Sequence, residues 1–539
     1  MTNASTDNLA AVQRQYERWP YPHVPLLALV PSTQPWQLHC DYLFDRCGSG
    51  AAPKQPRIWI AGCGTFQPYV FGIANPKADI LATDLSEHSL RLAKRRCRVH
   101  GLRHVQFAAC DLNDPTTWPA GEFDMIECYG VLMNLPNPAA TLKALGERLT
   151  PRGILRVMVY PQFSRSRIFQ LQRLARLCGL HAGERDHPAR FRALVRGLHK
   201  AHPLRFAFTT YEDSKNDAGV VDGFLHAGDR FFTGLQLGAL ICGANLTPAM
   251  WFHRPWAQPS VMAERLRLTG TSQSFVLHYL DIWQELRTNF IVCLRRADAP
   301  PRERGPLRTH PTFSTGGPLR HCLRLQRLRL LGGRVPTRTG QGEIVLSAKH
   351  ARALATDIER LPDSARARLC ADGLLLGGPL PVETLSVQED LPDNSFATAP
   401  LQIGRLAPNP LYAHLFAAFE LAQRHPELGL ADLELQCARF APWAEPLEQR
   451  PIHFGLTPYK TFQMFRVNVL DHLGRAPLPV AHSFADVRLR NDAACLQQLR
   501  EWLRHADLPA SLTPSDATLR ELWSIVFGYQ SLFMAIDGA

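Results

Sequence analysis

Several residues in the first quarter of the chain stand at the ends of short apolar runs and are of types that can bind a nucleoside. Gly62 and Gly64 follow the first run, where the lack of a side chain permits a tight turn and a close approach to a ligand. Asp84 ends the second run, 22 residues beyond Gly62, and a carboxylate there can accept hydrogen bonds from both ribose hydroxyls. Asp111 ends the third run and can pair with an adenine amino group, while the adjacent Leu112 covers the ring. Together these positions predict a nucleoside-binding site.

The spacing of the glycines argues against a ligand that carries phosphates. The nicotinamide-binding fingerprint requires a third glycine at the position that Gln67 occupies in this chain. The lysine of a phosphate-cradling loop is also absent from this turn. We therefore expect a nucleoside without phosphates rather than a dinucleotide.

The apolar runs alternate with helical patterns, and this alternation predicts how the ligand-binding residues are positioned. The five runs have the length and composition of buried strands and span 57–62, 78–84, 105–111, 123–130 and 154–160. Strands that alternate with helices form βαβ units, which build a parallel sheet. Because the carboxyl ends of such strands meet at one edge, we expect the site at that edge of an α/β fold.

These segments resemble class I S-adenosylmethionine-dependent methyltransferases, in particular those that are often fused to tetratricopeptide repeats, although the repeats themselves are not evident in this sequence. The resemblance is carried by YERWPYP (16–22), IAGCGT (60–65), ATDLSEHSLRLAKRR (82–96), ACDLND (109–114), FDMIECYGVLMNLPNP (123–138) and LTPRGILRVMVY (149–160). A looser match includes VVDGFLHAGDRFFT (220–233) and ends at about residue 297, after a candidate last strand NFIVCLRR. It implies a Rossmann-like, seven-stranded, mostly parallel sheet, S-adenosylmethionine as cofactor and S-adenosylhomocysteine as product.

The resemblance also assigns roles to matching positions. The implied cofactor-binding residues are Tyr16, Tyr21, Gly62, Cys63, Gly64, Asp84, Leu85, Asp111, Leu112, Glu127 and Tyr129. Glu127 and Tyr129 would face the methionine end and the acceptor. Tyr16 and Tyr21 belong to a segment that can fold over the cofactor in such enzymes, and their alternative role is to pack a proline-restricted strand.

Four residues are candidates for catalysis. The leaving group of a sulfonium methyl donor is already activated by its positive charge, so the protein mainly aligns the reactants. A base is needed only when the acceptor must lose a proton. Glu127, Tyr129, Asp222 and His226 are the candidates for that base. Asp222 and His226 are four apart and would share one helix face, either at the mouth of the pocket or as an ordinary surface pair.

The sequence departs from the family pattern at two places. Phe66 replaces the third glycine of the usual GxGxG turn, where it could narrow the pocket or, as we favour, pack the next helix. Met133 and Asn134 replace a pair of histidines after the fourth strand, so a histidine base is missing there and a catalytic role for Asn134 is doubtful.

Composition places the chain among reduced, globular proteins. It has 539 residues, 45% of them apolar, and 13 cysteines that are scattered singly without a C-x-x-C pair. This pattern favours cytoplasmic thiols over disulfides or a zinc site, and we expect no metal. The N-terminus lacks the features of a secretory signal. The apolar stretch Gly234–Leu246 is shorter than the roughly 20 residues of a membrane span and predicts a buried helix.

The domain organisation follows from the matched region and from a change in composition near residue 300. We expect a cofactor-covering segment over 1–50 and a methyltransferase domain over 51–297, with a helical insertion at about 164–246. A basic linker rich in proline and glycine should span 298–340. The remaining residues, 341–539, have α-rich (α+β) character, and their predicted role is acceptor selection or oligomerisation.

The net charge of +12 comes from two arginine-rich stretches and bears on the acceptor. Residues 143–205 carry 14 basic and three acidic side chains, and residues 302–338 carry nine arginines and one glutamate. We predict methyl transfer to a nitrogen or oxygen of a protein side chain or an elaborate metabolite. A nucleic-acid methyltransferase is the alternative, disfavoured because these stretches lack interleaved aromatic residues. A cofactor-binding protein without catalysis is the second alternative.

Overall fold

The computed structural model describes residues 3–378, with gaps at 31–33, 199–202, 253–258, 262–271, 283–285, 287–288, 312–318, 337–342 and 372. Most of the predicted C-terminal domain therefore lies outside the described residues.

A seven-stranded sheet forms the centre of the fold. Its strands are β1 (Arg57–Ala61), β2 (Asp79–Asp84), β3 (Val105–Ala109), β4 (Phe123–Tyr129), β5 (Leu149–Val159), β6 (Leu246–Trp251) and β7 (Phe290–Arg296). They are arranged in the order β3-β2-β1-β4-β5-β7-β6, and β7 alone runs antiparallel to its neighbours. The predicted Rossmann-like, mostly parallel sheet is thereby confirmed, as is β7 as the last strand.

Helices connect the strands and cover both faces of the sheet. Within the sheet domain they are α1 (Asn3–Arg18), α2 (Cys40–Arg46), α3 (Gln67–Ala74), α4 (Glu87–Val99), α5 (Pro138–Glu147), α6 (Ser166–Leu177), α7 (His187–Gly197), α8 (Pro203–Thr210), α9 (Asp217–Phe224), α10 (Gly234–Gly243) and α11 (Gln273–Ile282). No helix of the described residues is long and apolar enough to cross a membrane.

The central strands are apolar along their whole length because both of their faces are covered. Ile58, Trp59 and Ile60 of β1 are all fully buried. The ring of Trp59 packs against Trp118 and Phe123 on one face, with ring centroids 5.3 and 5.5 Å apart. A continuous apolar run without alternation is the expected pattern for such a strand. This packing fixes the strand ends, and therefore the site.

The segment between β5 and β6 is helical and has a core of its own. Helix α6 lies at the start of the predicted helical insertion and packs on α8 and α9, and its Ile168, Leu171 and Leu174 are buried in the core that these helices share with α7. The apolar stretch that begins at Gly234 is helix α10, whose Leu237 is buried, as predicted.

The range predicted as a linker contains regular structure. Helix α12 (Leu319–Leu331) and strand β9 (Gly333–Pro336) lie within it, and β9 pairs with β10 (Glu343–Leu346). Strand β8 (Arg308–Thr309) pairs with β11 (Leu375–Leu376), and helices α13 (Ala348–Thr356) and α14 (Asp363–Ala371) lie between them in the chain.

The start of that range is fixed to the sheet domain by a buried carboxylate. Asp45 of α2 is fully buried, and its Oδ2 accepts a hydrogen bond from Arg304 Nη2 at 2.6 Å. Its Oδ1 accepts from the backbone N–H of Gly377 at 2.7 Å. A buried carboxylate requires such partners. The chain beyond residue 297 therefore leaves the sheet but stays bound to the sheet domain through Asp45.

Candidate active site

One cavity of about 410 Å³ lies at the carboxyl ends of β1 to β5, beneath α1 and the chain that follows it. The residues predicted to bind cofactor or substrate that line it are Tyr16, Tyr21, Gly62, Cys63, Gly64, Asp84, Leu85, Asp111, Leu112, Tyr129 and Asp222. Two predicted residues, Glu127 and His226, do not line the cavity.

The turn after β1 requires glycine at both positions. Gly62 has φ +78° and Gly64 has φ +54°, which are left-handed conformations that glycine adopts without strain. A Cβ atom on Gly62 would lie 2.3 Å from Val131 Cγ2, and one on Gly64 would lie 2.8 Å from the carbonyl oxygen of Tyr21. The backbone of the N-terminal segment is thus pressed against the turn, and the backbone of the turn faces the cavity directly.

Asp84 is held at the end of β2 by backbone donors. Its Oδ2 accepts a hydrogen bond from the N–H of Gly64 at 2.8 Å, and its Oδ1 accepts one from the N–H of Ser86 at 2.9 Å. Burial raises the pKa of this carboxyl, and those hydrogen bonds partly oppose the rise by stabilising the charged form. Each oxygen retains a lone pair, so the carboxylate is able to accept two further hydrogen bonds from a ligand.

Asp111 and Leu112 follow β3 and border the same cavity. Asp111 Oδ1 accepts from the backbone N–H of Asn113 at 2.8 Å and from its side-chain amide at 2.9 Å. Its carbonyl oxygen accepts from Trp118 Nε1 at 3.1 Å. Leu112 is buried. This loop therefore presents a fixed carboxylate beside an apolar side chain.

Glu127 lies deeper than predicted. It precedes the end of β4 by two residues, is buried, and forms an ion pair with Arg156 of β5. Burial raises the pKa of Glu127 to about 7, and Arg156 counteracts part of that rise. The Arg156 guanidinium also lies 4.6 Å from the ring centroid of Tyr129, which does line the cavity. Glu127 thus acts on Tyr129 indirectly, because it pairs with the arginine that lies over the Tyr129 ring.

Asp222 and His226 come together, but not on one helix face. Helix α9 ends at Phe224, so His226 lies beyond it. The hydroxyl of Tyr16 donates to Asp222 Oδ1 at 2.8 Å and lies 3.2 Å from His226 Nε2. Asp222 is 7% exposed and His226 is 6% exposed, so the alternative of a surface pair is wrong.

Other residues of the cavity were not predicted from the sequence. Asp213 accepts a hydrogen bond from the Tyr21 hydroxyl at 2.8 Å, and Asp229 accepts one from Gln172 at 2.8 Å. Tyr160 and Tyr211 also line the cavity. Tyr160 directly follows β5, so its position at a strand end could have identified it as a residue of the site. Asp213 lies in a short helical turn without a motif. Asp229 lies in the matched stretch 220–233, but roles were assigned there only to Asp222 and His226.

An arginine organises these tyrosines without lining the cavity. Arg165 donates to the Tyr211 hydroxyl at 2.5 Å and to Asn289 Oδ1 at 3.2 Å. Its guanidinium lies 3.7 Å from the ring centroid of Tyr160. Such stacking and hydrogen bonding fix the two rings.

The cavity is strongly acidic. Among the described residues that line it are five aspartates, Asp84, Asp111, Asp213, Asp222 and Asp229, and no lysine, arginine or histidine. Burial, together with the neighbouring Asp229 and Asp213, raises the pKa of Asp222 well above its usual value. Burial is also the main cause that raises the pKa of Tyr16 and Tyr21. Arg165 opposes the rise of the Asp222 pKa, and burial outweighs it.

The departures from the family pattern have structural explanations. Phe66 borders the cavity, stacks near Tyr69 with centroids 5.7 Å apart, and lies 5.2 Å below the Arg96 guanidinium. It therefore packs the start of α3, as favoured. Asn134 lines the cavity, and its Oδ1 has no hydrogen-bond partner in the described part of the chain.

The three cysteines at strand ends are buried and unpaired. They are Cys63, Cys110 and Cys128, and burial raises the pKa of each thiol. These thiols are therefore protonated core side chains rather than nucleophiles.

The residues at the strand ends fit S-adenosylmethionine. A turn that a Cβ atom would obstruct allows close approach of a ligand, and the carboxylates after β2 and β3 match the hydroxyl and amino donors of adenosine. The cavity volume of about 410 Å³ lies within the range of small-molecule sites. Its negative charge suits a ligand with a sulfonium and an ammonium group.

Comparisons with known proteins relate the chain to methyltransferases. The sequence model of a family described as a methyltransferase domain matches residues 61–176. An uncharacterized protein of Synechococcus sp. is 32% identical over 291 residues, which are 51% of this chain and 67% of that protein. A ubiquinone biosynthesis O-methyltransferase of Bordetella avium is 31% identical over 100 residues, 18% of this chain and 39% of that enzyme. The chain thus spans well under half of the latter relative.

A solved structure with a similar chain is PKMT2 from Rickettsia typhi in complex with AdoHcy. It is 15% identical, with a TM-score of 0.42, and the match covers 66% of this chain and 77% of that one. The chain belongs to the S-adenosylmethionine-dependent methyltransferases and has S-adenosylmethionine as its cofactor, because the sheet, the residues at the strand ends and the family match all agree.

Proposed function

We propose that this enzyme transfers a methyl group to a nucleophilic nitrogen or oxygen of a protein side chain or a metabolite, within the cavity at the strand ends. The observation that carries the proposal is that one cavity joins two differently built halves. One half is the edge formed by β1 to β4, and the other is a group of tyrosines and aspartates from the N-terminal segment and from residues 211–229. The first half suits a nucleoside and the second an acceptor.

In the cofactor half, each strand end has a separate role. Asp84 would accept hydrogen bonds from the ribose hydroxyls, and Asp111 with Leu112 would hold the adenine. The backbone at Gly62 and Gly64 would lie beside the methionine portion. When bound, S-adenosylmethionine supplies an electrophilic methyl carbon, whose bond to sulfur breaks with both electrons staying on sulfur as the acceptor lone pair forms the new bond.

In the acceptor half, the protein aligns the nucleophile and excludes water. Tyr129 stands between the two halves, held by Arg156 behind its ring. The hydroxyls of Tyr16 and Tyr21 donate hydrogen bonds to Asp222 and Asp213, so the N-terminal segment would cover the acceptor as well as the cofactor. Alignment of this kind is the main contribution that a protein makes when the leaving group is already activated.

The two alternatives have less support. A nucleic-acid acceptor would bring phosphates towards a cavity whose described lining has five aspartates and no basic side chain. A binding protein without catalysis was suggested by Phe66 and by the absence of the histidine pair after the fourth strand. The Phe66 ring packs beside Tyr69 at the start of α3 and leaves a cavity of about 410 Å³.

Methyl labelling tests the proposal. The full chain, tritiated S-adenosylmethionine and a fractionated cell lysate should give label in an acceptor fraction. Replacing Asp84 by alanine should reduce incorporation at least tenfold at limiting cofactor, because hydrogen bonds to a charged group contribute roughly 1.5–3 kcal/mol each. The matched control is Asp79→Ala, at the opposite end of β2, where the side chain is 42% exposed. Folded protein that transfers no label to any fraction would contradict the proposal.

A further inference from the structure

One segment near the N-terminus is apolar on its exposed face as well as on its covered face. Residues 24–30 are all apolar, and exposure alternates along them, so that Pro25, Leu27 and Leu29 are exposed. Leu27 is 73% exposed and Leu29 is 56% exposed. The exposed positions of an alternating segment are ordinarily polar, because only the covered face gains from apolar side chains. The two neighbouring leucines therefore indicate a contact with another body.

The leucines belong to a tight turn of unusual composition. The N–H of Ala28 donates a hydrogen bond to the carbonyl oxygen of Pro25 at 3.0 Å, which closes a β-turn with Leu26 and Leu27 at its centre. Such central positions are ordinarily occupied by glycine, proline, asparagine, aspartate or serine. Neither leucine is required by the geometry of the turn, so the apolar side chains have a different role.

Helix α4 holds this turn in place. Arg96 is buried and donates a hydrogen bond to the carbonyl oxygen of Pro25 at 2.8 Å. His100 Nε2 lies 2.9 Å from the carbonyl oxygen of Leu26. Val99 directly precedes His100 and is exposed, so it extends the apolar surface beside the turn. A turn whose backbone is already fixed loses little conformational freedom when a partner binds to it.

The surface around the turn is positively charged. The exposed basic side chains of α4 and of the loop after it include Lys94, Arg95, Arg98 and Arg103, and none of these four forms an ion pair within the described part of the chain. The segments 18–40 and 88–110, which form this surface, contain no aspartate or glutamate. Glu87, which precedes the second segment, is paired with Arg91 at 3.5 Å. Exposed leucines are therefore combined with cations that lack a counter-charge.

We infer that residues 24–30 and the exposed face of α4 form a surface that docks on an anionic phospholipid membrane. Apolar side chains that enter the acyl boundary, together with cations that meet the headgroups, bind peripheral proteins to bilayers. A protein partner would ordinarily cover roughly 20–30 residues with an apolar centre, whereas the exposed apolar part here is one narrow turn with Val99 beside it.

The docking surface is separate from the cofactor-binding residues but lies next to the cover of the cavity. Tyr21 lines the cavity and precedes Pro25 by four residues. A docked chain would thus hold the segment that covers the site beside the lipid surface. The inference does not depend on methyl transfer, because vesicle binding is measured without cofactor or acceptor.

Vesicle co-sedimentation tests the charge requirement. The full chain is mixed at low ionic strength with vesicles of about equal parts phosphatidylglycerol and phosphatidylcholine, or with vesicles of phosphatidylcholine alone. We expect at least about tenfold tighter binding to the mixed vesicles, because anionic headgroups attract the basic side chains. The combined variant Lys94→Gln, Arg95→Gln and Arg98→Gln should lose most of this difference.

A second combined variant controls for the loss of net charge. Lys143→Gln, Arg185→Gln and Lys349→Gln remove three exposed charges from other parts of the described chain and should retain the preference for mixed vesicles. Equal losses in the two combined variants would show that net charge, rather than this surface, determines binding, and the inference would be wrong. A folded wild-type chain that does not bind mixed vesicles would also refute it and would favour a protein partner for this surface.

The leucines distinguish insertion into a membrane from attraction of charge alone. Leu27→Asp should weaken binding to mixed vesicles at least about tenfold, because a large apolar side chain would no longer leave water. Phe206→Asp is the matched control, since Phe206 of α8 is also apolar and is 53% exposed, and it should bind like the wild type. Binding that about 0.5 M salt abolishes and that Leu27→Asp leaves unchanged would be adsorption through charge and would overturn the inference.

Hydrogen exchange locates the contact without any substitution. Mixed vesicles should slow exchange of the backbone N–H groups within 24–30 and leave those of α7 unchanged, because only the docked turn is removed from water. Protection of other segments without protection of 24–30 would contradict the assignment of the surface.

Discussion

Individual side chains in this enzyme are positioned by neighbours that never reach the cavity. Glu127 and Arg156 form a buried pair between β4 and β5, and Arg156 in turn stacks on Tyr129. Tyr160 is held in the same way by Arg165. Both arginines are buried, so neither ring has freedom to move away from the site. The two tyrosines therefore have fixed orientations before any ligand binds.

The buried Glu127 makes stability depend on pH in a predictable direction. Its pKa is raised to about 7 in the folded state, so the folded protein binds the proton more tightly than the unfolded chain does. The folded state is then stabilised at low pH and loses that stabilisation between about pH 4.5 and 7. Glu127→Gln resembles the protonated side chain, and its free energy of unfolding relative to wild type should therefore increase over that range by roughly 3 kcal/mol.

Urea unfolding at pH 5 and pH 8 measures this change. The control is Glu147→Gln, which removes an exposed carboxylate near the end of α5. Its difference from wild type should vary much less between the two pH values. If Glu127→Gln instead loses stability relative to wild type as the pH rises, the ion pair outweighs burial and the interpretation is wrong.

At the scale of elements, the strand ends and the segment between β5 and β6 contribute to the site in different ways. The turn after β1 and the acids after β2 and β3 were predicted, because apolar runs ending in glycine or aspartate are visible in the sequence. Asp213 and Asp229 were missed because neither stands at a strand end, and because Tyr21 and Gln172, which hold them, are distant from them in sequence. The position of Glu127 was predicted wrongly, since an acid near a strand end does not by itself show where the strand stops.

The contact between α2 and the chain beyond the sheet predicts a large effect of one substitution. Asp45→Asn would leave the Arg304 guanidinium buried without its counter-charge, a change that typically costs 3–5 kcal/mol, so we expect a loss of about that size. Hydrogen exchange should also accelerate at the backbone N–H of Gly377, which donates a hydrogen bond to Asp45. The measurements are urea unfolding and exchange mass spectrometry.

A surface pair provides the control for this substitution. Asp298→Asn removes an ion pair with Arg296 in which the aspartate is 59% exposed. Exposed pairs contribute little, so the change should be within about 1 kcal/mol. Equal effects of the two substitutions would show that the chain after residue 300 is not fixed through Asp45.

For the whole molecule, overall charge and local charge have opposite signs. The chain has a net charge of +12, yet the described lining of its cavity has five aspartates and no basic side chain. The positive stretches raised the alternative of a nucleic-acid acceptor, whereas the negative lining of the cavity suits the cationic groups of the cofactor. The sequence could not predict this difference, because it depends on which side chains the fold turns inward. The arginines of 143–205 include Arg156 and Arg165, which are buried behind the site.

Calorimetric titration with S-adenosylhomocysteine tests the central claim most directly, because it measures cofactor binding at the strand ends without an acceptor. We predict one site per chain and a loss of affinity of roughly 10- to 100-fold in Asp84→Ala, which removes the carboxylate proposed to bind the ribose hydroxyls together with its hydrogen bonds from Gly64 and Ser86. Asp79→Ala should bind like the wild-type chain. No binding by the folded wild-type chain, or binding that Asp84→Ala leaves unchanged, would contradict the account.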